Sequence, residues 1–336
     1  MDLKSLISLL LFQLFVVNGD QQVKRDNSSE SISKFDLTSN QRVVNGVPAL
    51  INEFPYAVFI YIDLGSSGEV CTGSLISDSV VVTAAHCLLK DLKEPYSPSK
   101  FLVSAGSIKS IDTNTNRFKV KATYSHPKFN KNSLANDIGL LVLSSPVPSS
   151  IATPVSIYDD VVGDGMNVTA AGWGVTSNNA NASASKVLNK VPLIVSSSST
   201  CKTLNPFWKN NNDYSICTVN VKNQDTCYGD SGGPLTYIED GAHLLVGLTS
   251  MGNAPGDDTT SSLCGVNGGA AYYTHVFYFI DWISQTTGIK KEDLLDKTSR
   301  SNLQPQTSAA TRKGSQVFLP ISFSLLFIAF TLLLFM

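Results

Sequence analysis

Residues 224–235 read QDTCYGDSGGPL, a serine, Ser231, set between an acid and two glycines and preceded by Cys227. Alone, such a stretch is a glycine-rich turn anchored by one cysteine. It becomes a candidate site only if the rest of the chain supplies a base for the Ser231 hydroxyl and an anion to orient that base. Gly229, Gly232 and Gly233 add a second hint, since glycine lets the backbone come close to whatever lies opposite.

The chain has 336 residues, 43% hydrophobic and 15% charged, which suits a packed core and not global disorder. Its 25 Lys and Arg against 27 Asp and Glu give a net charge of −2, with no basic footprint for nucleic acid. The runs YAVFIYIDL, SVVVTAA, RFKVKATY, DIGLLVL, LLVGLTS and AAYYTHV, rich in β-branched and aromatic residues, alternate with Gly, Pro, Asn and Ser clusters. They predict many short strands. Val276 to Ser284, VFYFIDWIS, is the strong helical stretch of the core. An all-β sandwich or a pair of small barrels with a terminal helix accommodates both, and a barrel pair leaves a cleft between its halves.

The two ends differ from this core. After Met1-Asp2-Leu3-Lys4, the apolar run Ser5 to Val17 is too short to span a bilayer and reads as a signal peptide over residues 1–19. Residues 20–42 are polar and read as a flexible propeptide, with Lys24-Arg25 either an early processing site or two loop charges. Past the core of residues 43–289, residues 290–316 turn polar, a stalk or linker. Residues 317–336 are uncharged and as long as a membrane span. With small residues at Ser308, Ala309 and Ala310 before a polar spacer, a GPI-anchor signal fits better than a retained tail anchor. Six cysteines, an even set in a secreted context, predict three disulfides whose pairing the spacing does not fix. No C-x-x-C pair suggests zinc, and no other metal or cofactor is expected. Sequons at Asn27, Asn167 and Asn181 agree with secretion.

Two further residues complete a chemistry. His86 ends the apolar run VVVTAAHC, where the plain reading is a structural histidine. Asp137 opens DIGLLVL, where an acid is costly to bury unless its charge is accepted. Together His86, Asp137 and Ser231 supply base, orienter and nucleophile. With TAAHC, DIGLL and GDSGGP in this order, and RVVNG, NEFPYAV, CTGSLIS, AAGWG and FIDWI around them, the chain resembles the chymotrypsin-fold serine proteases over about three quarters of its length.

The resemblance implies two six-stranded antiparallel β-barrels packed around a cleft, with a short C-terminal helix. It implies His86 as general base and acid, Asp137 as its orienter, Ser231 as acylating nucleophile, and the Gly229 and Ser231 N–H groups as oxyanion hole. It pairs Cys71 with Cys87, Cys201 with Cys217 and Cys227 with Cys264, each worth about 2–4 kcal/mol. Val168 and Tyr237 stand where vertebrate relatives carry a further cysteine pair. Cleavage after Arg42 would free the Val43 amine to pair with Asp230 and order the oxyanion loop. Asp225 takes the floor of the primary pocket and implies substrates with Arg or Lys before the cleaved bond. Ser250 and Gly252 form its rim and strand edge, and Ala271 adds a methyl to its wall. The chain departs from the family in Met251, where the rim usually has Trp, and in the long segment NAPGDDTTSSL before Cys264.

The leading expectation is therefore a secreted serine endopeptidase at the extracellular face of the cell membrane, cutting after Arg or Lys and activated at Arg42 by another protease or by itself. Its partners are protein substrates and, through the C-terminal anchor, the membrane. The alternative is a non-catalytic or weakly active binding protein on the same fold. An esterase with the same triad lacks its strand-turn-helix G-x-S-x-G context here.

Overall fold

The computed structural model describes residues 46–178, 182–221, 223–255 and 263–295. Strands β1 (Ala57–Asp63), β2 (Gly68–Leu75), β3 (Val80–Thr83), β4 (Phe101–Ser104), β5 (Arg117–Ser125) and β6 (Gly139–Leu143) close into one barrel. Its order is β1-β2-β3-β6-β5-β4. β1 shows why the closure holds: Val58, Ile60 and Ile62 alternate into the interior with no exposure, while Phe59 turns the other way and is also buried. Its ring meets the indole of Trp173 edge to face at 5.6 Å. All four residues of β3 are buried as well, the signature of a strand covered on both faces.

The second half of the chain gives β7 (Asn167–Gly172), β8 (Asn189–Ile194), β9 (Ser215–Val219), β10 (Pro234–Glu239), β11 (Ala242–Asn253) and β12 (Ala270–His275). These run β8-β7-β10-β11-β12-β9, with the short strands Val47–Pro48 on β8 and Ser156–Ile157 on β11. Closure is looser than in the first barrel: a single bridge joins Val195, just past β8, to Thr218 in β9. The expected all-β architecture is thus present, one barrel fully closed and its companion sheet curled shut at one point. Val168 and Tyr237 pack in the same apolar cluster of this half, one residue beyond the Thr169–Thr236 pair.

Helices are few. α1 (Ser199–Leu204) carries Cys201 and was not foreseen in its Ser-rich surroundings. The stretch Val276 to Ser284 begins as a 3₁₀ turn at Phe277–Phe279 and continues as α2 (Ile280–Thr287). Gly288 ends it at φ 77°, its N–H donating to the Ser284 carbonyl at 2.9 Å. α3 (Lys291–Leu294) then lies where the polar linker was expected to begin, and Leu294 and Leu295 are buried in the main core. The three disulfides are Cys71–Cys87, Cys201–Cys217 and Cys227–Cys264. No helix among the described residues is long and apolar enough to cross a membrane. The signal peptide, the propeptide with Arg42 and Val43, the sequons Asn27 and Asn181, and the terminal apolar segment lie outside the described residues.

Candidate active site

His86 sits on the 3₁₀ turn Ala85–Leu88 that follows β3, beside the Cys71–Cys87 bridge. Asp137 precedes β6, in the same barrel, and is wholly buried. One carboxylate oxygen accepts the His86 backbone N–H at 2.9 Å and the other accepts His86 Nδ1 at 2.8 Å. Because an ionised carboxylate only accepts, the proton sits on Nδ1 and Nε2 keeps its lone pair, the form a general base needs. Burial works against a charged imidazole here. The field and hydrogen bond of Asp137, with Glu69 farther out, outweigh it and raise the His86 pKa above its usual 6.5.

The second barrel grips this pair. Ser250, in β11, donates its hydroxyl to Asp137 Oδ2 at 2.6 Å, and Thr274, in β12, donates to the Asp137 main-chain carbonyl at 2.7 Å. Ser250 was expected on the pocket rim; its hydroxyl is spent on the aspartate. This contact lies between residues 113 apart, and no local motif announces it.

Ser231 is half-buried on the loop between Cys227 and β10. Its carbonyl accepts the Thr72 N–H at 2.9 Å and lies 3.8 Å from Cys87 Sγ, which brings the serine's loop against the turn that carries His86. Gly232 follows at φ 75°, and a Cβ there would collide with Thr83 Oγ1 and come within 2.6 Å of the Thr72 carbonyl. Only glycine fits both the dihedral and the space. Gly229, at φ 93°, offers its carbonyl to Thr72 Oγ1 at 3.0 Å. Among the described residues, neither the Gly229 N–H nor the Ser231 N–H donates to a protein acceptor, so both are available to an anion.

Asp230 is fully buried, its two oxygens accepting the N–H groups of Gly174 at 2.7 Å and Cys227 at 2.8 Å. Burial raises its pKa to about 7, the two backbone bonds opposing and the Asp225 charge adding. A carboxyl whose pKa rises on folding binds its proton more tightly in the folded state. It therefore costs stability as pH climbs from about 4 to about 7. Thermal unfolding of inactive Ser231→Ala protein should show this: the chain intact at Arg42 loses a few kcal/mol across that window, and the chain with a free Val43 amine loses less. Asp225, raised to about 6 by burial, slopes the same way in both, so the difference between the two forms isolates Asp230.

Asp225 is 3% exposed and lies near Gly252, where an added Cβ would stand 3.8 Å from Asp225 Oδ2. Ala271 is buried and pairs with Gly252 across β11 and β12. The expected pocket residues are thus brought together. Asn167 is exposed at the start of β7. Other histidines have packing partners: His126 lies between Phe279 and Trp282, and His243 binds the Tyr56 hydroxyl at 2.9 Å. His275 is buried, its Nδ1 3.1 Å from the Asp213 carbonyl. Among the described residues the one cluster with metal-ligand spacing is Cys71, His86 and Cys87, and its two sulfurs are consumed in a disulfide.

Comparison with known proteins gives a match of residues 43–283 to the family model described as Trypsin. The chain is 32% identical to brachyurin of Leptuca pugilator over 249 residues, covering 74% of this chain and 99% of that protein. It is 30% identical to phenoloxidase-activating factor 3 of Holotrichia diomphalia over 304 residues, 82% of this chain and 81% of the relative. Mannan-binding lectin serine protease 1 of Homo sapiens is also 30% identical over 275 residues, 77% of this chain and 37% of that longer protein.

Proposed function

This chain belongs to the trypsin family of serine proteases, and from that premise we propose that it is a secreted, surface-tethered endopeptidase that cuts after Arg or Lys and is activated by cleavage after Arg42. The observation that carries the reading is the buried Asp137 carboxylate bonded to His86 at 2.8 Å, on the same seam as the Ser231 loop. In the reaction Ser231 Oγ attacks the substrate carbonyl while His86 Nε2 takes its proton. The Gly229 and Ser231 N–H groups receive the oxyanion. The imidazolium, stabilised by Asp137, then gives its proton to the leaving amine, and an acyl-enzyme remains. Water repeats the sequence in reverse: His86 takes a proton from it, hydroxide adds to the ester, and the acid leaves as Ser231 recovers its proton.

Substrate choice and control follow from the two buried acids. Asp225 at the pocket floor attracts a basic side chain. The bond after Arg42 is itself such a substrate, so another copy of the chain can activate it as well as a separate protease. Asp230 is the receptor for the new Val43 ammonium. Three disulfides suit an oxidising, extracellular setting. Residues 1–19 serve as signal peptide, residues 20–42 as propeptide, and residues 317–336 as the GPI-anchor signal, removed in exchange for the lipid that tethers the enzyme to the outer membrane face.

The test uses the full chain made in a secretory host and cut after Arg42. Peptide amides ending in Arg or Lys should be turned over, those ending in Phe or Ala at least about 100-fold more slowly. A serine-directed phosphonate should label Ser231. No labelling of protein with Val43 confirmed at its amino terminus would favour the non-catalytic binding protein. Release of the protein from cells by a GPI-specific phospholipase is the expected result for the tether; a protein that stays bound points to a retained tail.

A further inference from the structure

The floor of the pocket holds a polar group that the mechanism does not use. Asn220, just past β9, is 3% exposed. Its backbone joins the two loops of the floor: its N–H donates to the Gly269 carbonyl at 2.8 Å, and its carbonyl accepts the Gly268 N–H at 3.1 Å. Its side-chain Nδ2 donates to Asp225 Oδ2 at 2.7 Å. That bond decides which way the amide faces, because the reverse orientation would set Oδ1 against a carboxylate. Oδ1 is left buried, with no hydrogen-bond partner among the described residues. The covalent geometry of the amide keeps it within about 5 Å of the Asp225 oxygen. A buried acceptor without a donor is a standing cost that an incoming donor removes.

Asp225 itself is heavily engaged. Oδ1 accepts the Thr226 N–H at 2.8 Å, and Oδ2 accepts both Asn220 Nδ2 and, at 3.1 Å, the Gly265 N–H. A guanidinium docks best on a carboxylate that presents both oxygens side by side. An ammonium is a compact charge with three donors and divides them among separate acceptors. An added Cβ at Gly252 would stand 3.8 Å from Asp225 Oδ2 and Ala271 pairs with Gly252 across the strands, so the wall on this side favours a compact head group over the wider, planar one.

We propose that Asn220 is a specificity-determining residue: its Oδ1 and the Asp225 carboxylate together receive the ammonium of a lysine side chain, so that the enzyme prefers Lys to Arg before the cleaved bond. The inference rests on the basic-pocket reading above and deepens it. Asn220 acts on the substrate side chain, remote from the bond that breaks, so its effect falls on binding of the basic residue and not on acylation chemistry.

The full chain, cut after Arg42, is assayed with peptide amides that differ only in ending with Lys, Arg or norleucine. Wild type should favour Lys over Arg in kcat/KM by about fivefold or more. Asn220→Leu should lower Lys turnover by about tenfold, chiefly through KM, and Arg turnover less. Norleucine turnover and phosphonate labelling of Ser231 should not fall. Asn220→Asp, whose protonated carboxyl can still donate to Asp225 and keep one acceptor free, should retain the preference for Lys; it also decides the matter if the leucine variant does not fold. Wild type that cuts after both residues with Arg equal or ahead overturns this inference alone, as does an unchanged Lys-to-Arg ratio in Asn220→Leu. Wild type that labels at Ser231 yet cleaves after neither residue overturns the basic-pocket reading, and this inference with it.

Discussion

Ser231→Ala should lower kcat for a Lys- or Arg-ending peptide amide by roughly 10⁵- to 10⁶-fold, with KM changed only a few-fold. In the proposed reaction the hydroxyl is the atom that forms the acyl-enzyme. What remains is the transition-state stabilisation offered by the Gly229 and Ser231 amides, typically a residual 10³- to 10⁴-fold over water. Folding should be untouched, because the loop is held by main-chain groups: the Ser231 carbonyl to Thr72 and the Gly232 N–H to the Thr249 carbonyl at 2.8 Å. His86→Ala should cost about as much as Ser231→Ala, and the double variant no more, since the two act as one unit. Steady-state rates with matched melting temperatures check this. A loss under about tenfold, or phosphonate uptake by the Ser231→Ala protein, would remove Ser231 from the role of nucleophile.

A nearly isosteric change at Asp137 should be almost as damaging. Asp137→Asn can keep one oxygen for the His86 backbone N–H. Its amide nitrogen then falls where both His86 Nδ1 and the Ser250 hydroxyl donate in the native protein. Two donors cannot face a third, so the imidazole moves its proton to Nε2 and can no longer take one from Ser231. A fall in kcat of about 10⁴ is the magnitude for this exchange in the serine-protease template. Reversing the amide would instead keep an acceptor for Nδ1 and leave the His86 backbone N–H facing a donor, so the cost would fall on folding free energy and not on rate. Measuring kcat alongside the melting temperature separates the two, and an Asn variant with near-native kcat would show that the aspartate does not set the tautomer.

Much of this was legible in the chain. β1, β3 and β6 stand on their own as largely apolar runs bounded by turn residues, because a strand covered on both faces has to be apolar. His86, Asp137 and Ser231 could be named because each sits in a local pattern that says so. Ser250 could not be given its part, because its bond to Asp137 joins a strand of one barrel to the turn before a strand of the other, and neither segment's sequence mentions the other. Asn220 reads as an ordinary turn residue at a strand end; its place beneath the pocket depends on how the loops at Asp225 and Gly265 fold back. α1 escaped because six residues rich in Ser and Thr carry no usable helical period. α3 reads as linker because Leu294 and Leu295, buried in the fold, sit among charges in the sequence.

The way Gly232 is lodged against Thr72 and Thr83 has a consequence for how the molecule fails. In the proposed mechanism base and orienter belong to one barrel and nucleophile and oxyanion amides to the other, and the bonds of Ser250 and Thr274 to Asp137, the Thr72–Ser231 main-chain bond and the lodged Gly232 set the register between them. A parting of the two by one ångström can leave both barrels folded and slow the reaction about 100-fold. On warming or in mild denaturant, activity should therefore vanish before circular dichroism registers any loss of strand, which makes turnover the earliest gauge of damage to the whole chain.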